Sequence, residues 1–279
     1  MTLKSRIGQN FLCDPQAAER IVSALGPLAG RAVVEIGPGR GALTEVLAGR
    51  ASHVLAVELD AALAAQLGSR FPPGSVTVVA EDVLRFDFSA AAAKAGERLL
   101  VIGNLPYYIT SPILLKLARS HAALDRAVLM VQREVADRLA AAPGSRDYGL
   151  LSVTVQCYGP VEPLFTLPPS AFSPPPQVHS TVFRWQFAPR FAALGIEERA
   201  FLAFARQAFA QKRKTLANNL RAAGFEAAAA AGAFSHTGVD PRSRAESLSI
   251  ETLASLWRDL QAQTVVAGAG DESRAGSGL

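Results

Sequence analysis

Cysteines and long apolar runs are both scarce in this sequence. The 279 residues include only 2 cysteines, Cys13 and Cys157, which lie far apart in the chain. This spacing excludes a disulfide framework and a cysteine-based zinc site, and we expect no bound metal. No apolar run is long enough to span a bilayer, and the polar start of the chain predicts no signal peptide. We therefore expect a cytoplasmic protein without a membrane partner.

The composition is that of a globular protein with room for one large domain or two. Hydrophobic residues make up 49% of the sequence, which is enough for a sizeable core. The net charge of +4 is a mild basic excess. Such an excess permits a nucleic-acid partner but does not establish one.

Short apolar segments alternate with helical patterns along the first two thirds of the chain. This alternation predicts an α/β fold with a mainly parallel sheet. Asp14 followed by Pro15 predicts the start of an N-terminal helix. We expect the last two strands to form a closing pair. The predicted strands are residues 32–36, 53–57, 76–79, 99–103, 127–131, 150–156 and 181–186.

A glycine-rich turn follows the first predicted strand. Gly37 and Gly39 let the backbone approach a ligand closely. Glu58 ends the next strand, where a carboxylate can accept hydrogen bonds from both hydroxyls of a ribose. With Ala42, the turn also matches the fingerprint of dinucleotide-binding proteins. This region predicts a cofactor that contains adenosine, and it does not choose among such cofactors.

The segment after the fourth strand is suited to hold a base that carries an exocyclic amine. The side-chain oxygen of Asn104 is an acceptor, and Pro106 helps to aim the carbonyl of Leu105 at the same point. Two acceptors can hold both N–H bonds of one amine, and Tyr107 can stack on the base. The alternative is a loop whose tyrosines only cover the edge of the sheet.

Asp82 and Phe172 are further candidates for the same edge of the sheet. Asp82 follows the third strand, where it either binds an adenine amine or caps a helix. Phe172 lies in a proline-stiffened loop, where it either faces a bound base or plugs the core. A methyl donor built on adenosine uses all four strand ends, with Glu58 on the ribose and Asn104 beside the methyl group. A hydride-transfer enzyme does not need Asn104.

The composition changes near Pro189, and the pattern beyond residue 197 is helical. Between residues 206 and 221 the charged side chains are all basic, so they form either a solvated face or a phosphate-binding surface. The candidate RNA-binding residues are Lys212, Arg213, Lys214 and Arg221. We expect a cofactor-binding domain over 1–190, with an N-terminal arm and helix over 1–30. A helical domain over 191–262 and a disordered tail over 263–279 complete the prediction.

Several motifs together give the chain a specific resemblance, although each is weak or moderate alone. The chain resembles the KsgA/RsmA family of ribosomal RNA adenine N6,N6-dimethyltransferases from about residue 6 to residue 260. The matching motifs are Gly8-Gln9-Asn10-Phe11-Leu12, Val34-Glu35-Ile36-Gly37-Pro38-Gly39, Asn104-Leu105-Pro106-Tyr107, Phe172-Ser173-Pro174-Pro175-Pro176 with Val178, Phe209 with Arg213-Lys214-Thr215, and Asp240-Pro241 with Arg244-Ala245-Glu246.

The resemblance implies a Rossmann-like class I methyltransferase domain with a mixed seven-stranded sheet, followed by a small all-helical domain. It implies S-adenosylmethionine as the cofactor, and two adjacent adenosines near the 3′ end of small-subunit ribosomal RNA as the target. The expected partner is an assembling small subunit, and we expect a monomer. The implied donor-binding residues are Gln9, Asn10, Leu12, Gly37, Gly39, Glu58, Leu59, Asp82, Val83 and Asn104. The implied catalytic residues are Asn104, Leu105, Pro106, Tyr107 and Phe172.

Three alternatives stay open at this point. The same chemistry could act on another target, either a single ribosomal adenine that confers drug resistance or DNA. The protein could instead act mainly as an assembly factor that holds the immature subunit. A nicotinamide-dependent dehydrogenase is also compatible with the glycine turn taken alone.

Overall fold

The computed structural model of the chain describes residues 10–275, with side chains described as far as residue 263. The chain divides into two compact units. The first runs to Ala140 and resumes over Tyr158–Ala188, and the second comprises Ala141–Cys157 and the residues from Pro189 onward. Within the described residues, no helix has the length and apolar character needed to cross a membrane.

The first unit is an α/β domain. Its strands are β1 (Phe11–Leu12), β2 (Ala32–Ile36), β3 (His53–Glu58), β4 (Val76–Ala80), β5 (Leu99–Asn104), β6 (Leu124–Gln132), β7 (Val161–Leu167), β8 (Phe172–Ser173) and β9 (Ser180–Gln186). Its helices are α1 (Pro15–Ser23), α2 (Ala42–Ala48), α3 (Ala61–Gly68), α4 (Phe88–Ala95), α5 (Thr110–Arg119) and α6 (Arg133–Leu139).

Seven of these strands form one mixed sheet with the order β4-β3-β2-β5-β6-β9-β7. The five strands from β4 to β6 are parallel, and β9 runs antiparallel to both β6 and β7. The strand order reverses between β2 and β5. In open α/β sheets, ligands bind beyond the carboxyl ends of the strands at such a reversal. The mixed seven-stranded sheet predicted from the resemblance is confirmed.

The antiparallel direction of β9 brings its first residues to the same edge as the carboxyl ends of the parallel strands. Ser180, the first residue of β9, is in register with Gln132 at the end of β6. On its other side Ser180 is in register with Leu167 of β7. Residues far apart in sequence therefore meet at one edge of the sheet.

Helix α1 forms as the sequence predicts. The Asp14 side chain accepts hydrogen bonds from the backbone N–H groups of Gln16 and Ala17, and Pro15 is the first helical residue. The helix buries Ile21 and Val22, which are at most 1% exposed, against the sheet. Full burial of an aliphatic side chain of this size contributes about 1.5–3 kcal/mol each.

At the end of the sheet one strand prediction is wrong and one strand was not predicted. Residues 150–156, predicted as a strand from their β-branched side chains, are helical in α7 (Leu150–Cys157) and belong to the second unit. The strand beside β9 is instead β7, whose Pro163 argues against a strand in the sequence. Proline is tolerated there because β7 lies at the end of the sheet and its register shifts between Pro163 and Phe165.

The second unit is helical in its described residues. Besides α7 it contains α8 (Glu198–Ala208), α9 (Leu216–Ala222), α10 (Ala227–Thr237) and α11 (Ile250–Ala275). Its core includes the rings of Phe204 and Trp257, stacked with their centroids 5.1 Å apart. Helix α11 extends to Ala275, within the tail for which the sequence predicts disorder, and residues 276–279 lie outside the described range.

Candidate active site

A cavity in the first unit opens at the carboxyl edge of the sheet, where the strand order reverses. Phe11, the glycine turn after β2 and the polar segment after β5 all contribute to its wall. Gln9 lies outside the described residues. The predicted donor-binding residues that line the cavity are Asn10, Leu12, Gly37, Gly39, Glu58, Leu59, Asp82, Val83 and Asn104. The predicted catalytic residues that line it are Asn104, Leu105, Pro106 and Tyr107.

The glycine turn has a backbone conformation that other residues rarely adopt. Gly37 has a φ of +63° and Gly39 a φ of +54°. A Cβ atom on Gly39 would also lie 2.8 Å from the ring of Phe11 in the N-terminal strand β1. The turn is thus compact and covered by Phe11, whose ring also lies 4.6 Å from the guanidinium of Arg40.

Glu58 is fixed at the floor of the cavity. Its side chain is buried at 2% exposure, and its two oxygens accept hydrogen bonds from the backbone N–H groups of Gly39 and Asp60, each at 3.0 Å. A carboxylate has about four acceptor positions, so these two bonds leave capacity for two more. Glu58 can therefore still accept from a pair of hydroxyls.

Asp82 and its neighbours form the adjoining wall. One oxygen of Asp82 accepts from the backbone N–H of Leu84 at 2.9 Å, which fixes the carboxylate after β4. Val83 is buried, whereas Leu59 is 51% exposed at the opening. An acceptor beside apolar side chains suits a flat heterocycle that carries an amine.

Asn104 is oriented by a backbone atom of the N-terminal strand region. Its side-chain nitrogen Nδ2 donates to the carbonyl oxygen of Asn10 at 2.9 Å. Assignment of the nitrogen to this side follows from the hydrogen bond, because a carbonyl can only accept. The side-chain oxygen Oδ1 consequently lies on the opposite side of the amide, as an acceptor at the cavity.

Tyr107 is held at both of its ends. Leu105, two residues earlier in the chain, is buried, and its backbone N–H donates to the carbonyl oxygen of Met130 in β6 at 3.0 Å. Tyr107 itself begins a short 3₁₀ turn after Pro106, and its phenol oxygen lies 2.8 Å from the hydroxyl of Ser180. Burial raises the pKa of Tyr107, while the bond to Ser180 lowers it. The ring is half-buried and borders the cavity.

Tyr108 projects outward from the same turn. It is 57% exposed at the opening of the cavity. Partial burial and the nearby carboxylates of Asp82 and Glu58 raise the pKa of its phenol. The residues predicted to bind ribose and adenine therefore lie close to Tyr108, which is an exposed aromatic at the entrance.

Phe172 does not line the cavity. It is 3% exposed and belongs to the core that contains α1. Strand β8 pairs with β1, and this places Phe172 opposite Leu12. The structure favours the second of the two sequence interpretations, in which Phe172 plugs the core. The loop contributes to the site by holding β1 against it.

Sequence reasoning missed Glu35 as a cavity residue. It is 1% exposed and accepts a hydrogen bond from the Thr44 hydroxyl at 2.6 Å. Burial, and then the nearby Glu58 carboxylate, raises the pKa of Glu35 to about 7, against the lowering effect of Thr44. The available signal was an acidic residue inside the apolar strand β2, directly before the glycine turn.

The four predicted RNA-binding residues lie in the second unit. Lys212, Arg213 and Lys214 precede α9, and Arg221 lies within it. All four are exposed, and within the part of the chain that the structure describes none forms an ion pair. Nor do the described residues contain a group of three or more His, Cys, Asp or Glu side chains placed to hold a metal.

Comparison of the sequence with known families identifies one match over most of the chain. The model of a family described as ribosomal RNA adenine dimethylase matches residues 1–262. A protein from Acidobacterium capsulatum named ribosomal RNA small subunit methyltransferase A is 60% identical over 259 residues, covering 92% of this chain and 91% of the relative. A protein of the same name from Koribacter versatilis is 49% identical over 270 residues, and the match covers 92% of this chain and 94% of the relative.

Solved structures share the fold at lower identity. A dimethyladenosine transferase from Plasmodium falciparum has a TM-score of 0.79 and 22% identity, covering 91% of this chain and 98% of that one. The 23S rRNA methyltransferase ErmE has a TM-score of 0.69 and 24% identity, and the match covers 90% of this chain and 100% of that one. These similarities agree with the mixed seven-stranded sheet and support a Rossmann-like methyltransferase fold.

Proposed function

We propose, since this chain belongs to the ribosomal RNA adenine dimethylase family, that it methylates two adjacent adenosines near the 3′ end of small-subunit ribosomal RNA. The product is N6,N6-dimethyladenosine, and the donor is S-adenosylmethionine. The observation that carries the proposal is the orientation of Asn104. Its Nδ2 is occupied by the Asn10 carbonyl, so its Oδ1 is left to accept from an amine in the cavity.

The cavity fits the donor at three places. A Cβ atom on Gly39 would collide with Phe11, and this close packing leaves backbone rather than side chains beside an amino-acid tail. Glu58 has acceptor capacity left for the two ribose hydroxyls, and Asp82 is the acceptor for the adenine amine. When bound, the donor supplies an activated methyl group on a positively charged sulfur.

The protein's task is to place the target amine and to stabilise the charge that it acquires. An adenine amine is a poor nucleophile because its lone pair is delocalised into the ring. Acceptors at Asn104 Oδ1 and the Leu105 carbonyl favour a pyramidal nitrogen and then a positive one. Placement of the reacting groups supplies much of the remaining acceleration. The alkylated nitrogen is positive and strongly acidic, so it loses its proton to water and the mechanism needs no strong base.

Tyr107 captures the target base. A base must leave its stack to reach the cavity, which costs a few kcal/mol, and stacking on an aromatic ring recovers about 1–3 kcal/mol. The half-buried Tyr107 ring is the stacking surface, since Phe172 is enclosed in the core. The second methyl transfer requires the same pocket to accept an amine with one N–H and one methyl group.

The exposed basic side chains before and within α9 provide the phosphate contacts in this proposal. Lys212, Arg213 and Lys214 have no competing ion pair among the described residues, so they can meet RNA at little desolvation cost. We propose an assembling small subunit in the cytoplasm as the partner and a monomeric enzyme. Holding that subunit during assembly is a second role compatible with the same surface.

The decisive experiment is methyl transfer from labelled S-adenosylmethionine to small subunits that lack the modification, with the product mapped by nucleotide. We expect label on two adjacent adenosines near the 3′ end of the RNA. Label at a single large-subunit adenine or on DNA would contradict the proposed target. If an inactive Asn104→Ala variant still restored subunit assembly in cells, holding the subunit would be the main role.

A further inference from the structure

We infer that Ser180 is a positioning residue for the target base, because its buried hydroxyl fixes the direction in which the Tyr107 side chain points. The inference rests on the proposed function and adds a residue that the sequence analysis did not single out. The main evidence is the 2.8 Å separation between the Ser180 hydroxyl oxygen and the phenol oxygen of Tyr107.

Ser180 is a rigid anchor. It is fully buried at 0% exposure, and its strand β9 lies between β6 and β7. The backbone of Ser180 is in register with Gln132 on one side and Leu167 on the other. Because β9 is an interior strand, the backbone that carries this hydroxyl has little freedom to move, so the partner of the hydroxyl is held in a defined place.

Tyr107 would be less constrained without this anchor. Pro106 fixes its own φ at −61° and sets the entry of the chain into the turn. The far end of the ring is fixed by Ser180, 73 residues away in sequence. Fixing both ends selects one side-chain rotamer, and so one position for the ring, before the base arrives, which reduces the ordering cost of stacking.

The pairing is also chemically obligatory for both partners. A buried hydroxyl without a partner is costly, and Ser180 and Tyr107 each supply the other's partner. Removal of either hydroxyl leaves the other unsatisfied in a half-buried or buried position. The two residues therefore form a pair that a double-mutant cycle can detect.

The test compares Ser180→Ala with a matched control, Thr181→Val. Thr181 is the next residue of the same strand, is 4% exposed, and its hydroxyl lies 2.9 Å from that of Thr166. Both variants thus remove one buried side-chain hydrogen bond from β9. We expect Ser180→Ala to raise the apparent KM for unmodified small subunits by about fivefold, as one hydrogen bond predicts. We expect kcat and S-adenosylmethionine affinity to stay within about twofold in both variants.

A double-mutant cycle with Tyr107→Phe separates positioning from general destabilisation. Tyr107→Phe keeps the stacking ring and removes the phenol, so we expect it to raise KM about as much as Ser180→Ala does. The double variant should be no worse than either single variant. Equal KM values for Ser180→Ala and Thr181→Val, or fully additive effects in the cycle, would overturn the inference.

A measurement without substrate distinguishes failure of this inference from failure of the proposed function. In the free protein, ¹³C-labelled tyrosine should show a shifted and motionally averaged Tyr107 ring signal in Ser180→Ala, but not in Thr181→Val. An unchanged Tyr107 signal in both variants would reject the positioning role. If the wild-type protein does not methylate small subunits but the ring signal changes as expected, the proposed function fails while the positioning contact stands.

Discussion

Two regions hold their functional side chains in opposite ways. One is the catalytic edge, the carboxyl edge of the sheet that carries Glu58 and Asn104, and the other is the basic segment of the helical unit, residues 212–221. At the edge, Asn104 and Glu58 each have a specific hydrogen-bond partner from another part of the chain. In the segment, Lys212 and Arg213 are exposed and unpaired among the described residues. The first arrangement fixes individual atoms, whereas the second supplies charge without fixed geometry.

This difference predicts how each region responds to mutation. Removal of one fixed acceptor at the catalytic edge should lower the rate of methyl transfer by a large factor, since no neighbouring group can take over its aligned position. Removal of one exposed charge should cost little, because phosphate contacts are spread over several side chains and are screened by salt. The following experiments test the contrast, from the largest expected effect to the smallest.

The largest effect should come from Asn104→Ala. Loss of one well-aimed electrostatic partner costs about 2.7–4 kcal/mol, or about a hundredfold to a thousandfold in rate. Binding of the small subunit should change little, because it depends on contacts elsewhere. The measurement is single-turnover methylation of unmodified subunits, with subunit binding assayed in parallel. A near-wild-type rate in Asn104→Ala would remove this residue from the mechanism.

The companion variant Asn104→Asp tests the orienting contact. Aspartate keeps an acceptor at the cavity but cannot donate to the Asn10 carbonyl, and it would place a second oxygen where Nδ2 now lies at 2.9 Å. If an acceptor alone sufficed, this variant would be mild. We expect a clear loss of rate instead, because two oxygens at that distance repel. Full activity of Asn104→Asp would show that the Asn10 contact does not orient the side chain.

Glu35 should make the stability of the protein depend on pH. Its pKa is raised by burial from an ordinary 4.5 to about 7, so the folded state binds a proton that the unfolded state releases. The free energy of unfolding should therefore fall by about 3 kcal/mol as the pH rises from 4.5 through 7. Glu35→Gln keeps an acceptor for Thr44 and should not show this part of the fall.

The measurement is urea denaturation of wild type and Glu35→Gln at pH 5 and pH 8. The variant should gain stability relative to wild type at the higher pH. Glu162→Gln is the control, since Glu162 is 58% exposed and pairs with Arg184 on the surface. An equal pH dependence in wild type and Glu35→Gln would mean that Glu35 is ionised in the folded protein.

Glu58→Ala and Asp82→Ala should weaken donor binding and leave the fold intact. Loss of hydrogen bonds to a charged acceptor costs about 1.5–3 kcal/mol. Calorimetry with S-adenosylmethionine measures the effect, and circular dichroism checks the fold. Glu81→Ala is a matched control, because Glu81 borders the same cavity directly before Asp82. Wild-type affinity in both variants would remove these carboxylates from the donor site.

Most of the parallel sheet was predictable, since its strands are short buried runs with polar or glycine residues after them. β2, β3 and β5 begin where the sequence predicts. Glu58 is the last residue of β3, and Asn104 is the last residue of β5. Their placement at one edge then follows from parallel pairing. β7 was missed because it contains Pro163, and 150–156 was misassigned because β-branched residues can also pack in a helix.

The contacts that orient the site were not predictable from local pattern. Asn104 is held by a backbone carbonyl 94 residues away, which leaves no signature in side-chain type. Ser180 reaches Tyr107 only because β9 runs antiparallel beside β6. The role of Phe172 was not predictable either, since the sequence does not distinguish an aromatic residue that packs in the core from one that stacks on a base.

The smallest effect of a single substitution should come from the basic segment, where charge is supplied without fixed geometry. Neutralising Lys212 with Lys212→Gln should weaken binding of the small subunit about fourfold near 0.15 M salt, if the side chain contacts one phosphate. The slope of log affinity against log salt should fall in magnitude by about 0.7, the value for one contact on single-stranded RNA. The rate of methyl transfer in single turnovers at saturating enzyme should not change.

Arg199→Gln provides the control, because Arg199 is an exposed basic residue of the same helical unit that lies outside the segment. It removes the same charge, so any effect of net charge alone appears equally in both variants. A fall in slope confined to Lys212→Gln therefore assigns a phosphate contact to the segment. If both slopes match wild type, the segment is a solvated face, and the helical unit must bind RNA through other residues. If Lys212→Gln instead slows the methyl-transfer step, the charge acts on alignment, and the contrast between fixed atoms and unfixed charge fails.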